Sequence, residues 1–133
     1  MTTKRGARTP RDLLASYVER VAAGDVAGIV GSYAADAVVT LPGGREAAGL
    51  EAIGVAFAGA LASGAALPVD ESVVDEARVI ETGSLSMVSF TGLDGAVRTL
   101  VAWRAEDGWA WVRDGSMLRD VEAALGAGLV DVA

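Results

Sequence analysis

Few side chains in this sequence can do chemistry, and their types limit what that chemistry is. The 133-residue chain contains no histidine and no cysteine, which excludes a Ser-His-Asp triad, a Cys-His nucleophile, a disulfide and a zinc site built on those ligands. Lys4, the single lysine, lies near the start, which argues against a buried Schiff base. Carboxylates, arginines, tyrosines, hydroxyls, tryptophans and the backbone are left, and we predict no cofactor and no metal.

Tyr17 is the first candidate, because it lies on the apolar face of a helical pattern. Leu13, Leu14, Val18 and Val21 fall on the same stripe. A phenol in that position can donate a hydrogen bond to the carbonyl group of a ligand and polarise it. It can equally be a core tyrosine whose hydroxyl meets a buried acceptor, and both interpretations stay open.

The last predicted strand holds the second group of candidates. Trp109, Trp111, Arg113, Gly115 and Met117 alternate along one face, and Asp114 lies on the other. An arginine in an apolar cavity is costly unless it is paired. Arg113 therefore either holds a carboxylate, enolate or phosphate group or lies at a rim or subunit interface, and the second interpretation is favoured. Trp111 and Met117 fit plain packing as well as a pocket wall.

The apolar periodicity predicts the elements that position these side chains. Thr9 begins a helix that Gly24 ends, and Asp25 begins a short second helix whose apolar stripe includes Tyr33. A third helix is predicted over 49–62. Strands are predicted over 37–41, 69–80, 84–91, 96–105 and 109–117, and a last helix over 118–130.

This order of elements predicts the fold class. Helices come first and a run of strands follows, with hairpin signals at Asp94-Gly95 and Asp107-Gly108. Such an order indicates an α+β fold in which helices cover one face of an antiparallel sheet. A curved sheet around a helix leaves an open apolar concavity, which is a natural ligand site.

The charge divides the chain into a basic leader and an acidic domain. Residues 1–11 hold four basic residues and no acid, for +4, whereas residues 12–133 hold seven arginines and 18 acids, for −11. We predict a disordered leader over 1–8 and a single domain over 9–133, whose charge would repel nucleic acid. No secretory signal follows the basic residues, and the uncharged stretch 52–69 is too poor in Leu and Ile for membrane insertion. We therefore predict a cytoplasmic protein.

The first half of the chain resembles the ketosteroid isomerase branch of the NTF2-like (SnoaL-like) superfamily. The segments that carry the resemblance are Ser16–Val21, Gly24-Asp25, Ile29-Val30, Tyr33–Val39, Pro42 and Gly49–Ile53, continuing to Leu61. The resemblance implies an α+β, NTF2-like (cystatin-like) cone, with helices packed on a curved antiparallel sheet around an apolar pocket. It also implies a homodimer formed through the sheet. Because this fold carries many activities, the resemblance is weak for function.

The catalytic residues of that family carry over only in part. Its general base precedes the proline that ends the first strand, where this chain has Leu41, and its oxyanion-hole acid aligns with Leu100. The oxyanion-hole tyrosine is matched by Tyr17 and a second tyrosine by Tyr33, whereas the third tyrosine position is Phe57. Since both carboxyl positions are apolar, the enolisation route of the family is not expected.

The resemblance also implies which residues face the pocket. The predicted catalytic residues are Tyr17 and Asp114, and the predicted ligand-binding residues are Tyr33, Val39, Leu41, Phe57, Leu100, Trp111, Arg113 and Met117. Asp114 is included because related cyclases place an acid in this region, where it would act as a base.

Three functions are compatible with these residues. The first is an isomerase or cyclase that binds a small hydrophobic molecule (polyketide-, terpenoid- or steroid-like) and acts through shape and tyrosine hydrogen bonding. The second is a non-catalytic ligand-binding or dimerisation module, since both isomerase carboxyls are missing. The third and least favoured is an epoxide hydrolase, because no acid lies two residues after Arg98. The expected partners are a hydrophobic ligand and a second copy of the chain, and neither nucleic acid nor a membrane is expected.

Overall fold

A computed structural model describes residues 7–125 of the chain. The first six residues of the predicted leader and residues 126–130 of the predicted last helix lie outside this part. At the first described residue, Ala7 forms an antiparallel bridge with Trp109, and its carbonyl oxygen accepts a hydrogen bond from the Trp109 N–H at 3.0 Å. The chain is therefore attached to the sheet before the first helix begins.

The described residues alternate between helices and strands in a mixed order. In chain order the elements are α1 (Pro10–Ala23), α2 (Val26–Val30), β1 (Tyr33–Thr40), β2 (Glu46–Ala48), α3 (Leu50–Ala62), α4 (Ser72–Glu76), β3 (Arg78–Thr82), β4 (Leu85–Thr91), β5 (Val97–Ala105) and β6 (Gly108–Asp114). A 3-10 turn over Pro42–Gly44 joins β1 to β2. No helix in this part of the chain is long and apolar enough to cross a bilayer.

The sequence signals at the ends of the first two helices act as predicted. Thr9 Oγ1 accepts a hydrogen bond from the Asp12 N–H at 3.0 Å, and Gly24 ends α1 in a left-handed conformation with φ of 67°. Asp25 Oδ1 accepts a hydrogen bond from the Gly28 N–H at 3.0 Å at the start of α2. These caps satisfy the free backbone groups of a tight helical hairpin, which presents the apolar stripe of α1 to the sheet.

The six strands form one sheet in the order β2-β1-β6-β5-β4-β3. Neighbouring strands are antiparallel except β1 and β6, which run parallel. Helices α1 and α3 pack on one face of this sheet, and the hydrophobic core lies between them and the strands. The predicted α+β class with helices on one face of the sheet is confirmed, and the parallel pair is the departure from a purely antiparallel sheet.

Tyr33 belongs to a strand and not to the second helix, which corrects the prediction. α2 ends at Val30, and the N–H groups of Gly31 and Ser32 close its last turn. β1 therefore begins at Tyr33, ahead of the strand predicted over 37–41. The pairing of this segment with β6 overrides the helical spacing of its apolar residues.

The predicted strand over 69–80 contains a helix, and the predicted last helix is helical only over residues 123–125 within its described part. Asp70 Oδ1 accepts a hydrogen bond from the Ser72 N–H at 2.8 Å. This bond begins a turn that leads into α4, and Val73 of that helix is buried. Residues 115–120 form bends and turns, because a side-chain cap described below ends the last strand early.

Candidate functional site

Two tyrosines and one carboxylate meet in the core between α1 and the sheet. The Tyr33 hydroxyl donates a hydrogen bond to Asp114 Oδ2 at 2.6 Å. The Tyr17 hydroxyl lies 3.4 Å from the same oxygen and 2.9 Å from the Tyr33 hydroxyl. The exposed fractions of Tyr17, Tyr33 and Asp114 are 0%, 2% and 1%. We call these three residues the carboxylate-phenol cluster.

Each member of the cluster comes from a different element. Tyr17 lies on the buried stripe of α1, Tyr33 is the first residue of β1, and Asp114 is the last residue of β6. β1 and β6 pair in parallel with Tyr33 opposite Trp111. The two strands therefore bring a phenol and a carboxylate side by side beneath the helix.

A bulge in β6 turns Asp114 into the core and Arg113 out of it. The register between β5 and β6 shifts so that Val112 is an additional residue on β6. Trp111 and Asp114 are therefore both buried, whereas Arg113 is exposed. The prediction that Arg113 faces the pocket together with Trp111 is wrong, because strict alternation does not continue across a bulge.

The second oxygen of Asp114 is held by the backbone. Oδ1 accepts hydrogen bonds from the N–H groups of Ser116 at 3.1 Å and Met117 at 2.9 Å. The Ser116 hydroxyl in turn accepts a hydrogen bond from the Thr99 N–H at 3.0 Å. This turn at Asp114 ends β6 there, and not at Met117 as predicted. Both oxygens of the carboxylate thus have hydrogen-bond donors.

Burial controls the proton affinity of the cluster. Burial raises the pKa of Asp114, and the hydrogen bonds from Tyr33, Met117, Ser116 and Tyr17 only partly oppose that rise. Burial, followed by the negative charge of Asp114, raises the pKa of Tyr17 and of Tyr33 well above the usual tyrosine range. At neutral pH the tyrosines are therefore hydrogen-bond donors, and Asp114 is a stronger base than an exposed aspartate.

Aromatic and aliphatic side chains keep water away from the cluster. The Tyr17 ring lies edge to face against Trp111 at 5.7 Å and against Phe57 at 6.5 Å between ring centroids. Val39 and Leu100 are fully buried around it. Within the described residues, the buried Trp111 Nε1 has no hydrogen-bond partner, which is unusual for a buried donor.

Most of the predicted site residues are brought together in the core. Eight of them are buried there, namely Tyr17, Tyr33, Val39, Phe57, Leu100, Trp111, Asp114 and Met117. Leu41 is also buried and lines a 270 Å³ cavity against α3. Leu100 lies opposite Asp114 in the β5–β6 register. The carboxyl group thus lies one strand away from the position at which the resemblance implies an acid.

Sequence reasoning does not place Arg98 at the site, yet its side chain is 2% exposed. Its Nη1 donates a hydrogen bond to the Ser116 carbonyl, and its Nη2 pairs with the Asp94 carboxylate. Arg98 and Met117 line a cavity of about 360 Å³. The alternation of β5, in which Arg98 shares the inner face with Leu100, is the signal that could have found it.

A third cavity, of about 480 Å³, lies against the helical hairpin. Its polar lining includes Arg8, Arg20, Ser16 and Ser32, and Arg20 donates a hydrogen bond to Ser32 Oγ at 3.2 Å. Trp109 forms an apolar part of the wall. Across residues 7–125, no group of three or more carboxylates is placed to hold a metal ion.

Helices on one face of a six-stranded sheet, with a polar cluster buried between helix and sheet, form the cystatin-like fold of NTF2-like proteins, and the family match agrees with this assignment. Residues 14–113 match the SnoaL-like domain, and the chain belongs to that family. A comparison with curated proteins finds no match.

Solved structures show the same fold at low sequence identity. A protein from Thiobacillus denitrificans, assigned as a calcium/calmodulin-dependent protein kinase type II association domain, is 14% identical over 83% of this chain and 94% of its own, with a TM-score of 0.62. An NTF2-like protein from Novosphingobium aromaticivorans is 18% identical over 86% and 85%, with a TM-score of 0.61. A protein from Streptomyces avermitilis, assigned as a dehydratase of the NTF2-like family, is 18% identical over 77% and 88%, with a TM-score of 0.58. At these identities the likeness establishes the fold alone.

Proposed function

We propose that this protein binds a small hydrophobic molecule of polyketide, terpenoid or steroid type and promotes its isomerisation or cyclisation. The proposed reaction is proton transfer at a carbon next to a carbonyl group. Asp114 is the general base, and Tyr17 donates a hydrogen bond to the carbonyl oxygen. This assignment keeps the predicted isomerase-type chemistry but takes the carboxylate from β6.

One observation carries the proposal, namely the buried Asp114 carboxylate with two phenols on one oxygen. Burying a carboxylate is costly, and an apolar side chain would fill the same volume without that cost. Carboxyl groups whose pKa is raised by burial are frequent at sites of acid-base chemistry. The aromatic side chains around the cluster also support the proposal, because an environment of low polarity strengthens the hydrogen bond from a phenol to a developing oxyanion.

In the proposed step, Asp114 takes a proton from the carbon next to the substrate carbonyl. The C–H electron pair forms a C=C bond, and the carbonyl π pair moves onto oxygen to give an enolate. Tyr17 turns its hydroxyl from Tyr33 towards that oxygen and stabilises the charge. The proton then returns to a different carbon for isomerisation. For cyclisation, the enolate carbon attacks a second carbonyl carbon of the same molecule, the π pair of that carbonyl moves onto its oxygen, and Asp114 returns its proton to that oxygen.

Close packing supports a second candidate, a non-catalytic ligand-binding module. Tyr17, Phe57 and Trp111 are each 0% exposed, so these side chains have no water-sized space beside them. A ligand must displace packed side chains to reach Asp114. Met117 lines the 360 Å³ cavity and also donates its N–H to Asp114. Its flexible side chain therefore marks a short route from that cavity to Asp114.

Exchange of carbon-bound hydrogen tests the proton transfer without knowledge of the natural substrate. The protein is incubated in D₂O with enolisable steroid ketones and polycyclic polyketides, and deuterium uptake is followed by mass spectrometry. We expect at least one ketone to exchange faster than in buffer. The rate should rise with pH through the raised pKa of Asp114, because the ionised carboxylate is the base.

Ligand binding by the same molecules is measured through tryptophan emission. The Trp103→Phe variant is used, because it removes an indole that is 49% exposed and leaves the buried Trp109 and Trp111. Saturable quenching without deuterium exchange would favour the module over the enzyme. If the panel produces neither quenching nor exchange, both candidates are wrong.

We also propose that the outer face of the sheet forms a homodimer. This face carries an apolar group formed by Ile80, Leu85, Met87, Val101 and Trp103, defined here as the sheet patch. Ile80 pairs with Met87, which pairs with Val101, and Leu85 pairs with Trp103, so the patch is continuous across three strands. Two copies related by a two-fold axis bury the same patch against each other, which removes it from water.

Met87→Glu is expected to weaken that dimer, because Met87 lies between two other members of the patch and its symmetry mate brings a second carboxylate close. We expect the dissociation constant to rise by at least about tenfold, measured by sedimentation velocity. Val55→Glu is the matched control, since Val55 is 43% exposed on α3, on the helical side. A wild-type protein that sediments as a monomer at high concentration would contradict the proposal.

A further inference from the structure

The cavity against the helical hairpin, called the hairpin cavity from here on, has two arginines in its wall. Its volume of about 480 Å³ lies within the usual range for small-ligand sites. Arg8 and Arg20 line it together with one acid, Asp12. Within residues 7–125, neither arginine forms an ion pair with a carboxylate. No member of the carboxylate-phenol cluster lines this cavity, so the two sites are separate.

Helix α1 presents a polar stripe to the hairpin cavity. Asp12, Ser16 and Arg20 follow one another at intervals of four residues, and all three line the cavity. Residues four apart lie above one another on an α-helix, so this stripe runs along three successive turns. Tyr17 lies on the buried stripe of the same helix. α1 therefore presents a phenol to the cluster and a guanidinium group to the hairpin cavity.

The Arg20 guanidinium group is positioned by one hydrogen bond and has further donors to offer. Nη1 donates to Ser32 Oγ at 3.2 Å, and that hydroxyl donates its own hydrogen to the Gly28 carbonyl at 3.2 Å. A Cβ at position 28 would lie 2.9 Å from Arg20 Cδ, so the glycine leaves room for Arg20 to lie against α2. Nε and Nη2 of Arg20 have no acceptor among the described residues and are not buried, so a ligand can reach them.

The donors that remain in the wall belong to the two arginines. The Ser32 hydroxyl hydrogen is used by Gly28, and the Ser16 hydroxyl donates to the Leu13 carbonyl at 3.3 Å. Arg8 is exposed and has no hydrogen-bond partner in the part of the chain that the structure describes. Guanidinium groups bind the oxygens of carboxylates and phosphates in a planar, two-point geometry. The polar part of the wall therefore matches an oxyanion.

The charge of its wall distinguishes the hairpin cavity from the other two cavities. Two arginines and one aspartate give it +1 in a chain whose net charge is −7. The 360 Å³ cavity has one arginine and two aspartates, for −1, and the 270 Å³ cavity has one arginine and one glutamate, for zero. Arg104 adds a further positive charge nearby, since its guanidinium carbon lies 5.6 Å from the ring centroid of Trp109, a wall residue. Of the three cavities, this one attracts an anion.

We propose that the hairpin cavity binds a small organic anion whose phosphate or carboxylate group lies against Arg8 and Arg20. Leu13 and Trp109 form the apolar part of the wall, and the volume leaves room for an apolar group beside the anion. This ligand differs from the hydrophobic molecule proposed for the carboxylate-phenol cluster. Its binding does not depend on proton transfer at Asp114.

Four probes test the chemistry of the ligand, namely phenyl phosphate, benzoate, benzyl alcohol and inorganic phosphate. Binding to the full chain is followed through the backbone amide signals of Gly31 and Ser32 in ¹H–¹⁵N spectra. We expect phenyl phosphate and benzoate to shift these signals saturably, and the tighter of the two identifies the anionic group that the site prefers. Benzyl alcohol lacks the charge and inorganic phosphate lacks the apolar group, so each should bind at least about tenfold more weakly.

Four variants locate the site. Arg20→Gln and Arg8→Gln each remove one positive charge from the wall, and we expect about tenfold weaker binding of phenyl phosphate in each. Arg78→Gln is the matched control, because Arg78 is exposed on β3 outside the lining, and its affinity should equal that of the wild type. Asp12→Asn removes the negative charge of the wall and keeps the backbone N–H that Thr9 caps. It should tighten binding by at least about twofold.

Three results would overturn the proposal. The first is the absence of a saturable shift with either organic anion, and the second is wild-type affinity in both Arg8→Gln and Arg20→Gln. The third is binding of benzyl alcohol or inorganic phosphate as tight as that of phenyl phosphate. Because Arg8 is exposed, its variant tests the site without disturbing the core. Asp114→Asn is expected to lose deuterium exchange and to keep phenyl phosphate binding, so the two proposals can fail independently.

Discussion

Asp114→Ala is expected to lower the free energy of unfolding by about 3–5 kcal/mol, since it leaves several buried donors without an acceptor. The donors that lose their acceptor are the hydroxyls of Tyr17 and Tyr33 and the N–H groups of Ser116 and Met117. The two hydroxyls keep each other as partners, but the two N–H groups have no replacement nearby. The loss is measured by urea unfolding at pH 7, followed by tryptophan emission and by circular dichroism.

Asp114→Asn is the matched variant, because it keeps the shape of the side chain. Its amide oxygen can accept hydrogen bonds from Ser116 and Met117, and its NH₂ group can donate to Tyr33. We therefore expect a loss of about 1–2 kcal/mol, well below that of the alanine variant. Equal losses in the two variants would show that the hydrogen bonds of Asp114 do not hold this part of the fold.

The raised pKa of Asp114 sets the direction in which stability changes with pH. The folded protein holds the proton of Asp114 more tightly than the unfolded chain does. The contribution of Asp114 to the free energy of unfolding is therefore fully present below the pKa that Asp114 has in the unfolded chain, which is about 4. It decreases as the pH rises through the raised pKa that Asp114 has in the folded protein. The Asp114→Asn variant lacks this pH dependence. The difference between its free energy of unfolding and that of the wild type should therefore become smaller from pH 4 to pH 7.

The first two helices, α1 and α2, could be predicted from the sequence because their signals are local. Thr9, Gly24 and Asp25 each act on backbone groups within a few residues, and the structure confirms all three. Tyr33 could not be assigned in this way, because its place in β1 depends on pairing with β6, about 80 residues later in the chain. Local spacing contains no information about that partner.

The site was harder to predict than the fold, for a related reason. Alternation along the last strand predicts that Arg113 faces inwards and Asp114 outwards, and one additional residue, Val112, reverses both. A bulge is decided by the pairing on both sides of a strand, and its own residues rarely mark it. The resemblance located the family acid at Leu100, but a carboxylate can reach the same part of the core from the neighbouring strand.

Asp114→Asn is also expected to slow deuterium exchange by about 10²–10⁴-fold, since the amide cannot accept the proton from the substrate carbon. The exchange rate is measured on whichever ketone the wild type accepts, at saturating ketone. The stability loss of this variant is small, so the protein is still folded in the assay. Asp107→Asn is the control, because Asp107 is exposed in the β5–β6 hairpin, and its rate should equal that of the wild type.

Tyr17→Phe separates the proposed enzyme from a merely stable polar core. The Tyr17 hydroxyl lies 3.4 Å from Asp114, whereas Tyr33 donates to that carboxylate at 2.6 Å, so Tyr33→Phe should be the more destabilising change. If Tyr17 stabilises the enolate, its removal slows exchange by about 10²–10³-fold while unfolding changes little. If the cluster only stabilises the fold, the expected pattern is different. Tyr33→Phe then has the larger effect on both unfolding and deuterium exchange, and the Tyr17→Phe variant exchanges the hydrogens of the ketone at the wild-type rate.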